Sequence, residues 1–308
     1  MTQVNTSGYQ VWNVKNTFPA SISGGSVMGV DMGLFANNYE GYSSNAGDGA
    51  HATVSGLAIT PKSGGTGIRV LDSPSSTTHA NVQLDINAGV TITGGAKGLL
   101  IENLNASIVG GTLDNIAFVN QTGNYIELVA NAGNLSAIDA TFSNLVPAFA
   151  GVTGDDASLT ANFTIEDKIV HDIDNDALGF VRVKPLNTFV TTLSFIAPAT
   201  TTPSIQRAIN AADPGDLVNV RFGNYGRQIA PNSGVLGGPP IYQFGLNIEK
   251  AGLTIRGYDA SDMAVPNGGA AVAEFTTGAT NNFGASGIFI QADDVTLEGL
   301  KIGNNLND

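Results

Sequence analysis

The stretch SIQRAINAADPGDLVNVRFGNY, Ser204 to Tyr225, reads as a short helix, a sharp turn and a strand. Ile205, Ala208, Ile209 and Ala212 recur at i, i+3, i+4 and i+7, which puts them on one face of a helix. Thr202 or Ser204 suits its N-cap, and Pro203 suits a first turn. Asp213-Pro214-Gly215-Asp216 ends the helix, because the residue before a proline avoids helical geometry and Pro-Gly favours a turn. Leu217 to Phe222 then alternates, with Val218, Val220 and Phe222 on one side of a strand that Gly223-Asn224 closes.

Outward from this stretch, two short phrases recur. The first is apolar, any, Gly, Gly or Leu, any, apolar. It occurs as ISGGSV (Ile22 to Val27), VSGLAI (Val54 to Ile59), IVGGTL (Ile108 to Leu113) and LEGLKI (Leu297 to Ile302). The second begins with Gly and alternates: Gly67 to Val70, Gly98 to Ile101, Gly245 to Ile248 and Gly287 to Ile290. Two copies extend further, so that Gly245 to Gly257 aligns with Gly287 to Gly299. Each unit reads as two period-2 strands joined at a corner where Gly takes positive φ or lets backbone pass closely. Irregular spacing fits insertions that loop out of some corners. An antiparallel sandwich also makes short strands with Gly-rich turns, but it gives no reason for one corner motif to repeat.

Residues Ile205, Gln206, Ala208, Ile209, Ala211, Ala212, Gly215, Asp216, Val218, Val220, Gly223 and Tyr225 resemble the opening of a right-handed parallel β-helix of the pectin-lyase-like superfamily. In that family an amphipathic helix lies over the open end of the first coil. The resemblance implies an all-β solenoid, in two blocks, with a capping helix near 204–212. It implies architecture more than chemistry, since lyases, hydrolases, esterases and non-enzymatic surface proteins share it. The expected division is a repeat block over 1–162, a helix, hairpin and linker over 163–203, and the start of a second β-helix over 204–308. In the middle stretch Ile165, Ile169 and Ile173 are expected on one helix face. Phe180 to Val183 and Thr188 to Thr191 are expected to form a hairpin, and Ala197 to Pro203 a linker. This order of parts resembles very large bacterial surface proteins that string β-helices together, which implies an extracellular or cell-surface place.

The totals fit. Charged residues are 13% of the 308, against an average of about 25%. Gly numbers 39, well above the usual share of about 7%. Net charge is −13, from 13 basic and 26 acidic residues, with no cluster of Lys and Arg. Nucleic acid and anionic membranes are therefore not expected as partners. The absence of Cys excludes disulfides and thiolate chemistry. No run approaches the roughly 18 apolar residues of a membrane span. MTQVNTSGYQVWN carries neither a basic n-region nor an apolar h-region. The chain is accordingly expected to be a piece of a longer exported protein.

Candidate chemistry is sparse. Asp172, Asp174 and Asp176 alternate, a spacing that lets hard oxygen ligands converge on calcium. The Gly and Glu of an EF-hand loop are missing, with Ala177 and Val183 in their places. Apart from calcium, no cofactor is expected. Pectate lyases use calcium and a basic residue, and the resemblance directs attention to Arg256 with Asp259, Asp262, Glu249, Asp293, Asp294 and Glu298. The catalytic phrases of polygalacturonases are not found. Carboxylate pairs about 5 to 10 Å apart, as glycoside hydrolysis needs, arise by chance on rungs roughly 4.8 Å apart. His51, His79 and His171 form no metal-binding pair. Trp12 and the tyrosines are of a type that offers sugar-stacking faces, but core or corner packing is the expected place for them. The expected role is a non-catalytic structural or adhesive segment, with cell-surface polysaccharide or other surface proteins as partners. The rival is the first part of a polysaccharide lyase or glycoside hydrolase.

Overall fold

A computed structural model describes residues 6–12, 14, 18–38, 50–72, 82–103, 106–113, 115–130, 132–228, 230, 243–265, 273–277 and 285–304. The chain forms two compact units. One comprises Met1–His171 with Ala177–Pro185, the other Asp172–Asp176 with Leu186–Asp308. The stretch 163–203 is thus shared between them. Among the described residues, no helix is long and apolar enough to cross a membrane.

Unit 1 stacks most of its strands into three sheets. The first runs Ser7–Trp12, Met32–Asn37, Thr66–Leu71, Lys97–Glu102, Asn124–Val129, Ile169–Val170. The second runs Ala20–Ser23, Ala50–Ser55, Val82–Ile86, Ala106–Ile108. The third runs Ser26–Met28, Ala58–Thr60, Val90–Thr93, Ile116–Val119, Thr141–Leu145, Ala148–Val152. Successive strands fall in successive sheets, so the chain visits each sheet in turn and returns one rung further on. Pairing is parallel except between Thr141–Leu145 and Ala148–Val152. An antiparallel sandwich is thereby ruled out.

Like side chains pile on like. Leu34, Ile68, Leu99 and Ile126 are in register along the first sheet, and all are buried. Ile59, Ile92, Phe118 and Phe142 do the same along the third. Each such burial is worth about 1.5–3 kcal/mol. The corner between the second and third sheets needs positive φ on every rung. Gly24, Gly56 and Gly89 supply it, and then Asn115 at φ 60°. Each amide of the three glycines donates to a carbonyl of the next rung, as Gly24 does to Ser55 at 2.8 Å. A second glycine column answers to space, not to φ. A Cβ on Gly67 would lie 2.4 Å from Ile92 Cγ2 and 2.7 Å from the Gly98 carbonyl, with the same crowding at Gly33 and Gly98. Tyr125 takes the place opposite Gly98, and its buried ring joins Phe118 and Phe142 at 6.2 and 5.2 Å.

The helix α1, Leu159–Glu166, is capped by Ser158, whose hydroxyl accepts from the Ala161 amide at 3.2 Å. It lies earlier than the expected Ile165–Ile173 face. Ile169 is instead drawn into a strand that pairs with Ile126. The expected hairpin also does not form. Val181–Arg182 pairs in parallel with Leu135–Ser136, and Asn187–Val190 pairs in parallel with Leu217–Val220. Period-2 patterning specifies strands but not their partners.

Unit 2 repeats the scheme. Its sheets run Asn187–Val190, Leu217–Val220, Thr254–Gly257, Thr296–Glu298; Gly223–Gln228, Ala273–Thr277, Leu300–Asn304; and Gln243–Ile248, Ala285–Ile290. Leu246 lies opposite Ile288 and Ile255 opposite Leu297, the same offset as the two long phrases of the sequence. Helix α2, Ile205–Ala211, is capped by Ser204 and buries Ile205, Ala208 and Ile209. The turn after it is closed by Asp216 Oδ2, which accepts from the Asp213 amide at 2.9 Å. Gln206 reaches the strand Gln243–Ile248 and acts as a strand would. Its Nε2 donates to the Asn247 carbonyl at 2.9 Å, and its Oε1 accepts from the Asn247 amide at 2.7 Å. Phe222 is exposed, unlike Val218 and Val220, because the strand ends at Val220.

Candidate functional site

Asp172, Asp174 and Asp176 lie in a turn after the strand Ile169–Val170, with Asp174 buried and Asp176 exposed. Their negative charge bears on Arg207 of α2. Burial lowers that guanidinium below its ordinary range, while Asp174, Asp176 and Asp172 pull it back up. Arg207 also donates to the carbonyls of Ile173 at 2.6 Å and of Ser194 and Thr202 at 2.9 Å. The acidic run therefore works here as the counter-charge of a half-buried arginine. Among the described residues, no three His, Asp or Glu side chains gather closely enough to hold a metal.

The outward side of the first sheet of unit 1 brings together side chains that are far apart in sequence. Alternation along each strand turns every second residue away from the core. One column reads Gln10, Phe35, Arg69, Leu100, Glu127, and the next reads Trp12, Asn37, Leu71, Glu102, Val129. Arg69 lies over the Phe35 ring at 5.2 Å and pairs with Glu102. Lys97 Nζ meets Glu127 Oε1 at 2.7 Å, and Asn124 Nδ2 donates to Glu127 Oε2 at 2.8 Å. Trp12 is 41% exposed at the edge of this face. The result is a partly exposed face of rings, amides and paired charges, in which Asn37 and Leu100 are buried.

His171 is not isolated. Its ring is fully buried, stacks on Phe180 at 5.3 Å, and lies 2.8 Å from Glu166 Oε1 through Nε2. Its Nδ1 accepts from the Val181 amide at 3.0 Å. An acceptor nitrogen carries no proton, so Nε2 carries it and donates to Glu166. This fixes a neutral tautomer joining the end of α1 to the strand Val181–Arg182. The sequence offered little signal for it, since Glu166 and Val181 lie five and ten residues away, outside any metal or catalytic spacing.

In unit 2 Arg256, Glu298, Asp262, Glu249 and Asp259, considered for lyase chemistry, are taken up by neighbours. Arg256 pairs with Glu298 one rung on, and that hydrogen bond holds its guanidinium above the ordinary arginine range. A base that must give up its proton needs the opposite shift. Asp262 pairs with Arg221 at 3.2 Å. Glu249 accepts from Asn247 Nδ2 at 2.7 Å, and Asp259 accepts from the Ser261 and Met263 amides at 2.8 and 2.9 Å. Asp294, at φ 57°, is a corner residue.

Where the second sheet of unit 1 ends, a cavity of about 240 Å³ opens between Ala106–Ile108 and Leu135, lined by Ile101, Ser107 and Asn134. Comparison with protein-family models, with curated proteins and with solved structures finds no match for this chain.

Proposed function

We propose that the chain is two stretches of right-handed parallel β-helix, of the pectin-lyase-like kind, serving as a non-catalytic structural and adhesive segment of a large secreted bacterial surface protein. The handedness follows from the strong preference of parallel crossovers. Strands that return to each sheet one rung on, with stacked inward columns, support the solenoid. The observation that carries the adhesive role is the outward face of the first sheet. It sets Trp12 and Phe35 beside Gln10, Arg69 and Glu102. Rings for the apolar face of a sugar, with amides and paired charges for its hydroxyls, make carbohydrate the ligand class.

Binding of the chain to immobilised neutral and acidic polysaccharides tests this. Trp12→Ala should weaken binding about tenfold and leave the far-UV spectrum unchanged. Equal binding by both proteins would end the adhesive reading. Appearance of unsaturated sugar products from polygalacturonate, with or without calcium, would favour the lyase.

A further inference from the structure

We propose that Lys97 and Asn124 become joined by an isopeptide bond, formed by the chain itself with Glu127 as proton carrier, which ties one rung of unit 1 covalently to the next. This does not rest on the carbohydrate reading. Lys97 and Asn124 open the strands Lys97–Glu102 and Asn124–Val129 and are direct partners in their parallel register. Partners on neighbouring rungs stand roughly 4.8 Å apart. Glu127 follows Asn124 on the same strand, and both side chains meet it. One of its carboxylate oxygens takes Lys97 Nζ at 2.7 Å, and the other accepts from Asn124 Nδ2 at 2.8 Å. The amine is thereby held next to the carboxamide, whose carbon Cγ is one bond from Nδ2. The Glu127 side chain is 13% exposed and has the buried Leu100 as its register partner.

An ion pair needs two members, and this cluster has three. Arg69–Glu102, on the same face, joins a carboxylate to a guanidinium that keeps its proton and attacks nothing. A lysine that gives up its proton is a nucleophile. Glu127 takes a proton from the Lys97 ammonium, and the free amine adds to Asn124 Cγ. The Nζ–Cγ bond forms and the Cγ–Nδ2 bond breaks. The two protons that Nζ gives up pass through Glu127 to Nδ2, which leaves as ammonium. Nothing is oxidised or reduced. Exchange of this kind is slow between free partners, but strand register fixes both groups here, and effective molarities reach about 10⁵–10⁸ M for well-oriented ones. The bond would restrain the unfolded chain as a disulfide does, in a sequence that has no Cys.

Mass spectrometry of the folded 308-residue chain, whole and digested, is the test. The chain should weigh about 17 Da less than its sequence, the mass of one lost ammonia. Trypsin cuts after Lys and Arg, so an unlinked chain yields residues 70–97 and 98–168 as separate peptides. The linked chain should yield 70–168 uncut at Lys97 and lacking one ammonia, and further cleavage after Glu102 should not part its two pieces. Glu127→Gln keeps hydrogen-bonding groups in place but carries no proton, so it should show full mass and normal cleavage at Lys97. Asn124→Ala should do the same. A folded parent chain of full mass, a deficit that maps to residues other than Lys97 and Asn124, or a link that survives Glu127→Gln would each overturn the proposal. The peptide map of the parent chain decides the matter even where a variant fails to fold.

Discussion

The two units begin in different ways. Unit 2 starts under a helix. α2 lays Ile205, Ala208 and Ile209 into the core, and Gln206 gives the strand Gln243–Ile248 the hydrogen bonds that a preceding rung would have given. Among the described strands, the first of each main sheet of unit 1 is paired on one side only, and this coil carries exposed rings. A stacked fold has to close its ends. One solution here is written into the chain as a helix with one glutamine.

The comparison can be broken most severely within a unit's stack. Gly67→Leu drives a side chain into Ile92 and the Gly98 carbonyl, so unit 1 should lose about 3 kcal/mol. Trp12, the single tryptophan, lies in unit 1, so its fluorescence in urea should follow that loss. The cap of unit 2 comes next. Gln206→Ala strands the buried Asn247 amide and carbonyl, at a cost of about 1–3 kcal/mol, and should shift the far-UV transition without moving the tryptophan signal.

A smaller effect is expected in alkali. Burial raises the Tyr125 phenol above its ordinary 10.0. The folded state therefore favours the neutral ring, and its contribution is complete below pH 10.0 and fades as pH rises beyond it. Tyr125→Phe gives up the hydrogen bond to the Ser143 carbonyl, so it should be about 1 kcal/mol less stable at neutral pH. It should overtake the parent chain in strong alkali. An alkaline unfolding series that shows no crossing would refute this.

The smallest effect belongs to Asp31. Its hydrogen bond with Lys62, and then that with the Thr6 amide, hold the carboxyl at about 2 against an ordinary 3.8. The stabilisation is present above pH 3.8 and lost as pH falls through 2. Asp31→Asn should flatten the acid limb of the stability curve in that window alone, as read by Trp12 fluorescence.

How much of this was legible depended on whether insertions disturbed the rungs. The phrases Gly245 to Gly257 and Gly287 to Gly299 aligned because five residues separate the two strands in each copy, and they fall one rung apart. The corner at Gly89 went unread because Asn87 and Ala88 separate it from the strand Val82–Ile86. IVGGTL matched the phrase but belongs to a 3₁₀ turn over Val109–Gly111, and the true corner of that rung is Asn115. Asn tolerates positive φ, so a search for Gly alone misses it. The outward face of the first sheet was invisible for another reason. Its columns are set by register between strands, and a single sequence does not state register. His171 and Glu166 were obscured likewise, because a turn and a strand, not a periodic element, bring them together.

The chain leaves unit 1 after His171, supplies Asp172–Asp176 to unit 2, and returns through Ala177–Pro185 before leaving for good. No single scission of the polypeptide therefore yields two whole halves. A fragment stopping at His171 would forfeit Val181–Arg182, the neighbour of Leu135–Ser136, along with the amide that orients the imidazole. One beginning at Leu186 would deprive Arg207 of its acidic surroundings.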